Sequence, residues 1–413
     1  MFTLIISVIS LGFILERWLN YLNFKNQDEI IPEELKGVYD IDVYKKSIDY
    51  ERANSKFGNS TSTLSFLITV LLISTGFFAK LDDWSKAMSV DLVWSTILFF
   101  GLLAFFSDLI GIPFALYKTF VIEERFGFNR TTVKLFFADK LKGYLLAGML
   151  GGSLLAIFVL FYQLTGKTFW LYAWITVSVV SISLSMFYTS VVLPLFNKLK
   201  PLKEGELRND IESYCRNVKF NLENLYIMDG SKRSSKANAF FSGLGKSKKI
   251  VLFDTLVEKH TNEELVAVLA HEIGHYKMKH TRTSILFSIL QTGIMLYLLA
   301  WFINEPLLSQ ALGGKDASFA LGLLAFTILY SPVSLIFGLF MNKLSRKHEF
   351  EADAFAATSY NAIPLQDALR KLASDNLSNL TPHPWFVFFH YSHPPLLQRL
   401  KALNQFKGAS NQE

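Results

Sequence analysis

His271-Glu272-Ile273-Gly274-His275-Tyr276-Lys277-Met278-Lys279-His280-Thr281-Arg282 runs directly into the apolar segment 284–303. On a helix, residues four apart share one face, so His271 and His275 can bring both imidazoles to a single metal ion. Glu272 then lies beside that ion, placed to take a proton from an attacking water. In a soluble domain this pattern describes an ordinary zinc hydrolase. Here a segment long enough to cross a bilayer follows at once.

Composition points the same way. Of 413 residues, 51% are hydrophobic and 18% charged, against about 25% charged in soluble domains. The mean hydropathy is +0.29. A single cysteine, Cys215, excludes an internal disulfide framework and a cysteine-rich zinc ribbon, leaving His, Asp and Glu to hold any metal. The net charge of +6 is modest, and no Lys/Arg run is dense enough for nucleic acid. The expected partner for those cations is the lipid bilayer.

Seven apolar stretches are long enough to span: 2–21, 63–78, 92–120, 144–164, 169–195, 284–303 and 317–341. The second is short, and Asp108 and Pro113 interrupt the third. The first lacks a basic leader and is followed by Glu16, Arg17 and Trp18, so it reads as a retained helix and not a signal peptide. Lysines and arginines crowd the loops after the first and third spans and thin out in the alternate ones, which places the basic loops in the cytoplasm. Parity then puts the long loop 196–282 and the tail 342–413 on the cytoplasmic side, with one integrated domain over 1–413.

Within the long loop, 210–218 reads as a helix, 224–228 and 249–253 as strands, and 236–245 as a strand plus turn. Thr261 is a good N-cap, and Glu264 completes a capping box. Leu265, Val268, Leu269 and Ile273 then give an apolar stripe at helical spacing. That helix is expected to continue into the sixth span.

A third ligand is available past the seventh span, in Ser345-Arg346-Lys347-His348-Glu349-Phe350-Glu351-Ala352-Asp353. Glu349 with two imidazoles makes the three-ligand site with an open fourth position that hydrolysis needs. Asp353, one helical turn on, can accept the second N–H of a ligating histidine. Glu351 falls off that face and is not assigned to the site. His393 and Arg399, in His393-Pro394-Pro395-Leu396-Leu397-Gln398-Arg399, are candidate donors to a developing oxyanion. Lys277 and His280 read as interfacial charges. Asp108 is costly in lipid and is expected to face a chamber or a partner.

Several motifs in order resemble the type I CAAX prenyl proteases, integral-membrane zinc metalloproteases. They are Val121-Ile122-Glu123-Glu124 with Gly127-Phe128-Asn129, Asn238-Ala239-Phe240, Ile250-Val251-Leu252-Phe253-Asp254-Thr255-Leu256, the HEIGH helix, Glu349-Phe350-Glu351-Ala352-Asp353, and His390-Tyr391-Ser392-His393-Pro394-Pro395. The resemblance implies an α-helical integral membrane protein whose seven transmembrane helices enclose a large chamber. A small α+β, gluzincin-like zinc metalloprotease portion would lie on the cytoplasmic side. It implies one Zn2+ per chain on His271, His275 and Glu349, with Glu272 as base and His393 and Arg399 steadying the transition state. It also implies that Asn238, Ala239 and Phe240 form an edge strand that holds peptide substrate.

The leading expectation is therefore removal of the C-terminal tripeptide from prenylated peptides. The alternatives are a quality-control membrane protease without prenyl specificity, and a seven-span transporter or receptor with a structural metal. The intact Glu272 argues against the last. The compact chain, and a C-terminus reading Ser410-Asn411-Gln412-Glu413, suggest a bacterial inner-membrane member.

Overall fold

A computed structural model describes residues 1–27, 31, 33–222, 224–242 and 249–406. The first half is helical: α1 Phe2–Lys25, α2 Ile41–Ser74, α3 Phe77–Met88, α4 Leu92–Tyr117, α5 Val133–Ala147, α6 Ser153–Thr165, α7 Phe169–Phe187 and α8 Leu193–Phe196. The second half opens on β1 Leu199–Pro201, α9 Glu206–Asn217, β2 Asn224–Met228, β3 Ala239–Ser242, β4 Lys249–Phe253 and α10 Asp254–Lys259. There follow α11 Asn262–Lys277, α12 His280–Phe302, α13 Pro306–Ala311, α14 Phe319–Ala356, α15 Ala362–Asp375, α16 Pro384–His390 and α17 Leu396–Asn404.

Six helical stretches among the described residues are long and apolar enough to cross a membrane. The longest, Val133–Phe196, breaks at Gly166, whose φ of +54° is open to glycine at little cost, and α6 and α7 then pack against each other. The soft second span is resolved as the far end of α2, one continuous 34-residue helix that starts in the basic loop, with Asp40 accepting from its first N–H. Pro113 lies inside α4, and a π-helical turn at Lys118–Glu123 follows. Only 6–17% of the apolar windows is buried, far less than the third or so of a helix that faces a filled core. The rest of that apolar surface is available to lipid, as spanning helices require.

The sheet has the order β1-β2-β4-β3, with β2 parallel to β4 and the outer strands antiparallel. Strands β2 and β4 have the expected boundaries, while Gly243–Gly245 of the expected third strand lie outside the described residues. Ile250, Leu252 and Leu256 join Leu265, Leu269 and Ile273 of α11, with Leu365 and Leu403, in a core separate from the membrane one. Helix α14 runs between the two. Its 38 residues extend about 57 Å at 1.5 Å per residue, well beyond a hydrocarbon layer of about 30 Å. Its overshoot carries Glu349 and Asp353 out to the sheet and α11.

One expectation fails here. The motif helix does not continue into the sixth span: α11 ends at Lys277, and Lys279 turns left-handed at φ +62° before α12 begins at His280. That reversal lets α12 leave at a new angle and turns His280 back toward the site.

Candidate metal centre

Thr261 and Glu264 start α11 as a reciprocal capping box: Glu264 N donates to Thr261 Oγ1 and Thr261 N to Glu264 Oε2. Lys371 of α15 then pairs with Glu264 at 2.7 Å. The helix is buried almost all round from Glu264 to Gly274. It meets α14 at Gly274, where an added Cβ would stand 3.1 Å from Ala352 Cα. That close approach brings the two histidines of one helix to the carboxylates of the other.

His271 Nε2 and His275 Nε2 are 3.1 Å apart, and Glu349 oxygens lie 3.5 Å and 3.4 Å from them. A tetrahedral zinc with bonds of about 2.0–2.1 Å separates its donors by about 3.3 Å, so this triangle has the size the ion requires. Among the described residues no hydrogen bond of acceptable geometry reaches the buried Glu349 Oε2, although His393 Nδ1 stands 2.9 Å from it. The donor set, two imidazoles and one carboxylate, fits zinc with a position left open.

Around this triangle the carboxylates are tied down. His271 Nδ1 lies 2.8 Å from Asp353 Oδ1, which fixes the imidazole proton on Nδ1 and frees Nε2. Arg399 donates to both Asp353 oxygens, from Nε at 2.8 Å and Nη2 at 2.6 Å. Its Nη1 is left 3.5 Å from Glu349 Oε2. Arg399 thus has a second duty beyond the expected one, holding Asp353. His393 Nδ1 approaches Glu349 Oε2 to 2.9 Å, and this carboxylate raises the histidine above its ordinary pKa. Burial lifts the Glu272 carboxyl above the usual glutamate range, while the nearby His271 and His275 oppose it.

The expected substrate strand lies at the sheet edge, beside α11. Asn238 is exposed, its carbonyl accepts from Phe253 N at 3.1 Å, and its Oδ1 accepts from Ala239 N at 2.9 Å. Sequence reasoning missed what braces this strand. Asn376 Oδ1 accepts from Ala237 N and its Nδ2 donates to Ala237 O, both at 3.3 Å. Glu123 pairs with Lys236 at 3.2 Å and accepts from Tyr50 OH at 2.6 Å. Phe128 O accepts from Ser235 N, and Arg233 O from Arg130 N. Two of the sequence motifs therefore serve one purpose, steadying the chain that enters β3. Arg346, which could have neutralised Glu349, instead donates to the carbonyls of Val387 and Tyr391 and anchors the approach to His393.

His280 is no interfacial charge: it is buried, 3.0 Å from His275 and 2.9 Å from Glu351. Asp108 accepts from Lys140 at 2.6 Å and from Tyr144, a local answer to its cost in lipid.

Residues 20–198 match the family described as CAAX prenyl protease N-terminal, five membrane helices, and residues 201–407 match peptidase family M48. A CAAX prenyl protease 1 homolog of Oryza sativa is 35% identical over 389 residues, covering 90% of each chain. CAAX prenyl protease 1 of Saccharomyces cerevisiae is 34% identical over 431 residues, covering 97% of this chain and 95% of its own. The crystal structure of S. mikatae Ste24p superposes with a TM-score of 0.93 at 33% identity, covering 98% of this chain and 99% of its own.

Proposed function

The chain belongs to peptidase family M48, in its CAAX prenyl protease branch, and from that membership we propose a zinc-dependent endopeptidase that removes the C-terminal tripeptide of prenylated peptides. One observation carries the reading: His271 Nε2, His275 Nε2 and Glu349 form a triangle of zinc-site size, with the Glu272 carboxyl near enough to interact electrostatically with all three.

A zinc ion held by these three residues would supply Lewis acidity, polarising the scissile carbonyl and lowering the pKa of water. Glu272 takes the proton of the attacking water and returns it to the leaving amine; its raised pKa brings it toward the operating range of a base at neutral pH. His393, and Arg399 through Nη1, supply donors for the negative charge that develops on the carbonyl oxygen. Asp353 holds the His271 tautomer. Peptide pairs with β3 through Asn238, Ala239 and Phe240, so that backbone hydrogen bonds fix the scissile bond over the site.

We read the chain as one integrated domain of seven crossings, counting the halves of Val133–Phe196 separately. The continuity of α14 between membrane and protease cores supports this. The basic loops support an active site at the cytoplasmic face. The relatives, which are eukaryotic, bear on family and not on source.

The test is cleavage of a farnesylated CAAX peptide and its unprenylated twin by purified protein. Glu272→Gln should abolish turnover, by about 10^2-fold or more, while bound zinc stays at one per chain. Unchanged turnover would refute the enzyme reading. Equal rates on the two peptides would instead favour quality-control proteolysis.

A further inference from the structure

We propose that His280 and Glu351 are positioning residues for the second histidine ligand, joined to His275 by a hydrogen-bonded chain whose proton positions follow one from another. The inference rests on the metal-centre reading above.

His275 turns Nε2 toward His271 Nε2, at 3.1 Å, and toward Glu349 Oε1, at 3.4 Å. That nitrogen must offer its lone pair to the ion, and a neutral imidazole has only one N–H. The proton therefore sits on His275 Nδ1, which lies 3.0 Å from His280 Nδ1. Since only one of those two nitrogens can donate, His280 Nδ1 accepts. The proton of His280 is then on Nε2, 2.9 Å from Glu351 Oε2, an acceptor-only carboxylate. The His280 ring is also held face to face with His348, centroids 3.9 Å apart and planes within 10°, and both rings are buried. The first ligand has the shorter version of the same device, His271 Nδ1 on Asp353. Helix α14 thus supplies Glu349 to the ion, Asp353 to the far side of His271, and Glu351 to the His280 that backs His275.

The same cluster invites another reading. His280, His348 and Glu351 offer two imidazoles and a carboxylate whose donor atoms lie within 4.8 Å of one another, a second set of metal-site composition. The proton count excludes it beside an occupied first site. A cation on His280 Nε2 would move the proton to Nδ1, and two N–H groups would then face each other at the 3.0 Å separation from His275. That contact is repulsive, whereas the relay makes it a hydrogen bond.

The experiment measures metal content and zinc dissociation constants, by competition with a graded chelator series, on the purified full chain. Melting of the metal-free proteins serves as a folding control. The wild type should hold one zinc. His280→Ala and Glu351→Ala should bind it about 10- to 100-fold more weakly, the usual loss when a ligand's orienting partner is removed. Glu351→Gln, which keeps an oxygen acceptor and the side-chain volume, should retain more affinity than Glu351→Ala. His348→Phe, which keeps the stacked ring without a donor atom, should bind zinc as the wild type does. Wild-type affinity in both alanine variants would overturn the relay. Two metals in the wild type, falling to one in His348→Phe, would establish the second site in its place. A wild type that holds no zinc would refute the metal centre, and the relay with it.

Discussion

Gly274 lies so close to Ala352 that a β-carbon on the glycine would stand 3.1 Å from the Ala352 Cα and 3.2 Å from its carbonyl oxygen. The candidate metal centre is built on this contact. One turn of α11 presents both histidines, and the facing turn of α14 presents Glu349 and Asp353. Zinc donors tolerate errors of only about 0.2 Å, so the spacing of the two helices sets the spacing of the ligands.

Gly274→Ala should therefore weaken the site from a position that touches no ion. In an open helix interior the change would stabilise by about 1 kcal/mol. Against backbone it must overpack, at a cost of about 1–3 kcal/mol. The expected result is a lower melting temperature together with weaker zinc binding. A raised melting temperature with zinc affinity intact would show that the helices have room to spare.

Arg399→Lys should act on zinc as well as on turnover. Asp353 is almost fully buried and receives two hydrogen bonds from Arg399, a fork that lysine cannot reproduce. Breaking a buried pair costs about 3–5 kcal/mol, and the freed carboxylate would no longer hold the His271 tautomer. Zinc affinity and kcat should fall together in Arg399→Lys. If kcat falls while zinc affinity and stability stay at wild-type values, Arg399 serves the transition state alone.

What sequence revealed about this site was local. The capping box at Thr261, the strands 224–228 and 249–253 and the paired histidines are written in residues a few positions apart, where helix and strand periods act directly. Glu349 was legible as a candidate third ligand because its type, spacing from Asp353 and place after a span all suited one. The break at Lys279 was not, because a lysine in left-handed conformation carries none of the signal that glycine or asparagine gives. His280 was misread because its partner Glu351 is 71 residues away. The bracing of β3 by Asn376 and by Glu123 through Lys236 likewise exists only once the chain is folded.

His260 gives the protease portion a pH dependence of its own. It is buried between α10 and α11, with Nε2 lacking a hydrogen-bond partner among the described residues. Burial holds its pKa below the ordinary histidine value, with Glu264 opposing. The unfolded chain takes up its proton near pH 6.5, while the folded one resists until lower pH. Stability should thus fall as pH drops from above about 6.5 toward the folded-state value, and level off below it. His260→Gln should flatten that part of the melting-temperature profile between pH 8 and 5. An unchanged slope in the variant would assign the loss to other groups.

The open edge of β3 gives a prediction about substrate. Ala239 stands opposite Leu252, and the neighbouring Asn238 carbonyl already accepts from Phe253 N of β4. In an antiparallel ladder hydrogen-bonded and free positions alternate, so the Ala239 N–H and C=O face away from β4. The Asn238 side chain caps that N–H at 2.9 Å, and a peptide strand would have to displace it. Proline is tolerated in an edge strand where its missing N–H faces outward. Ala239→Pro should leave melting temperature and zinc content near wild type and raise KM for peptide by about tenfold, the loss of roughly one hydrogen bond. Phe240→Pro, which deletes a donor to β4, should instead destabilise the fold. Wild-type KM in Ala239→Pro would mean that peptide does not add to β3 at this position.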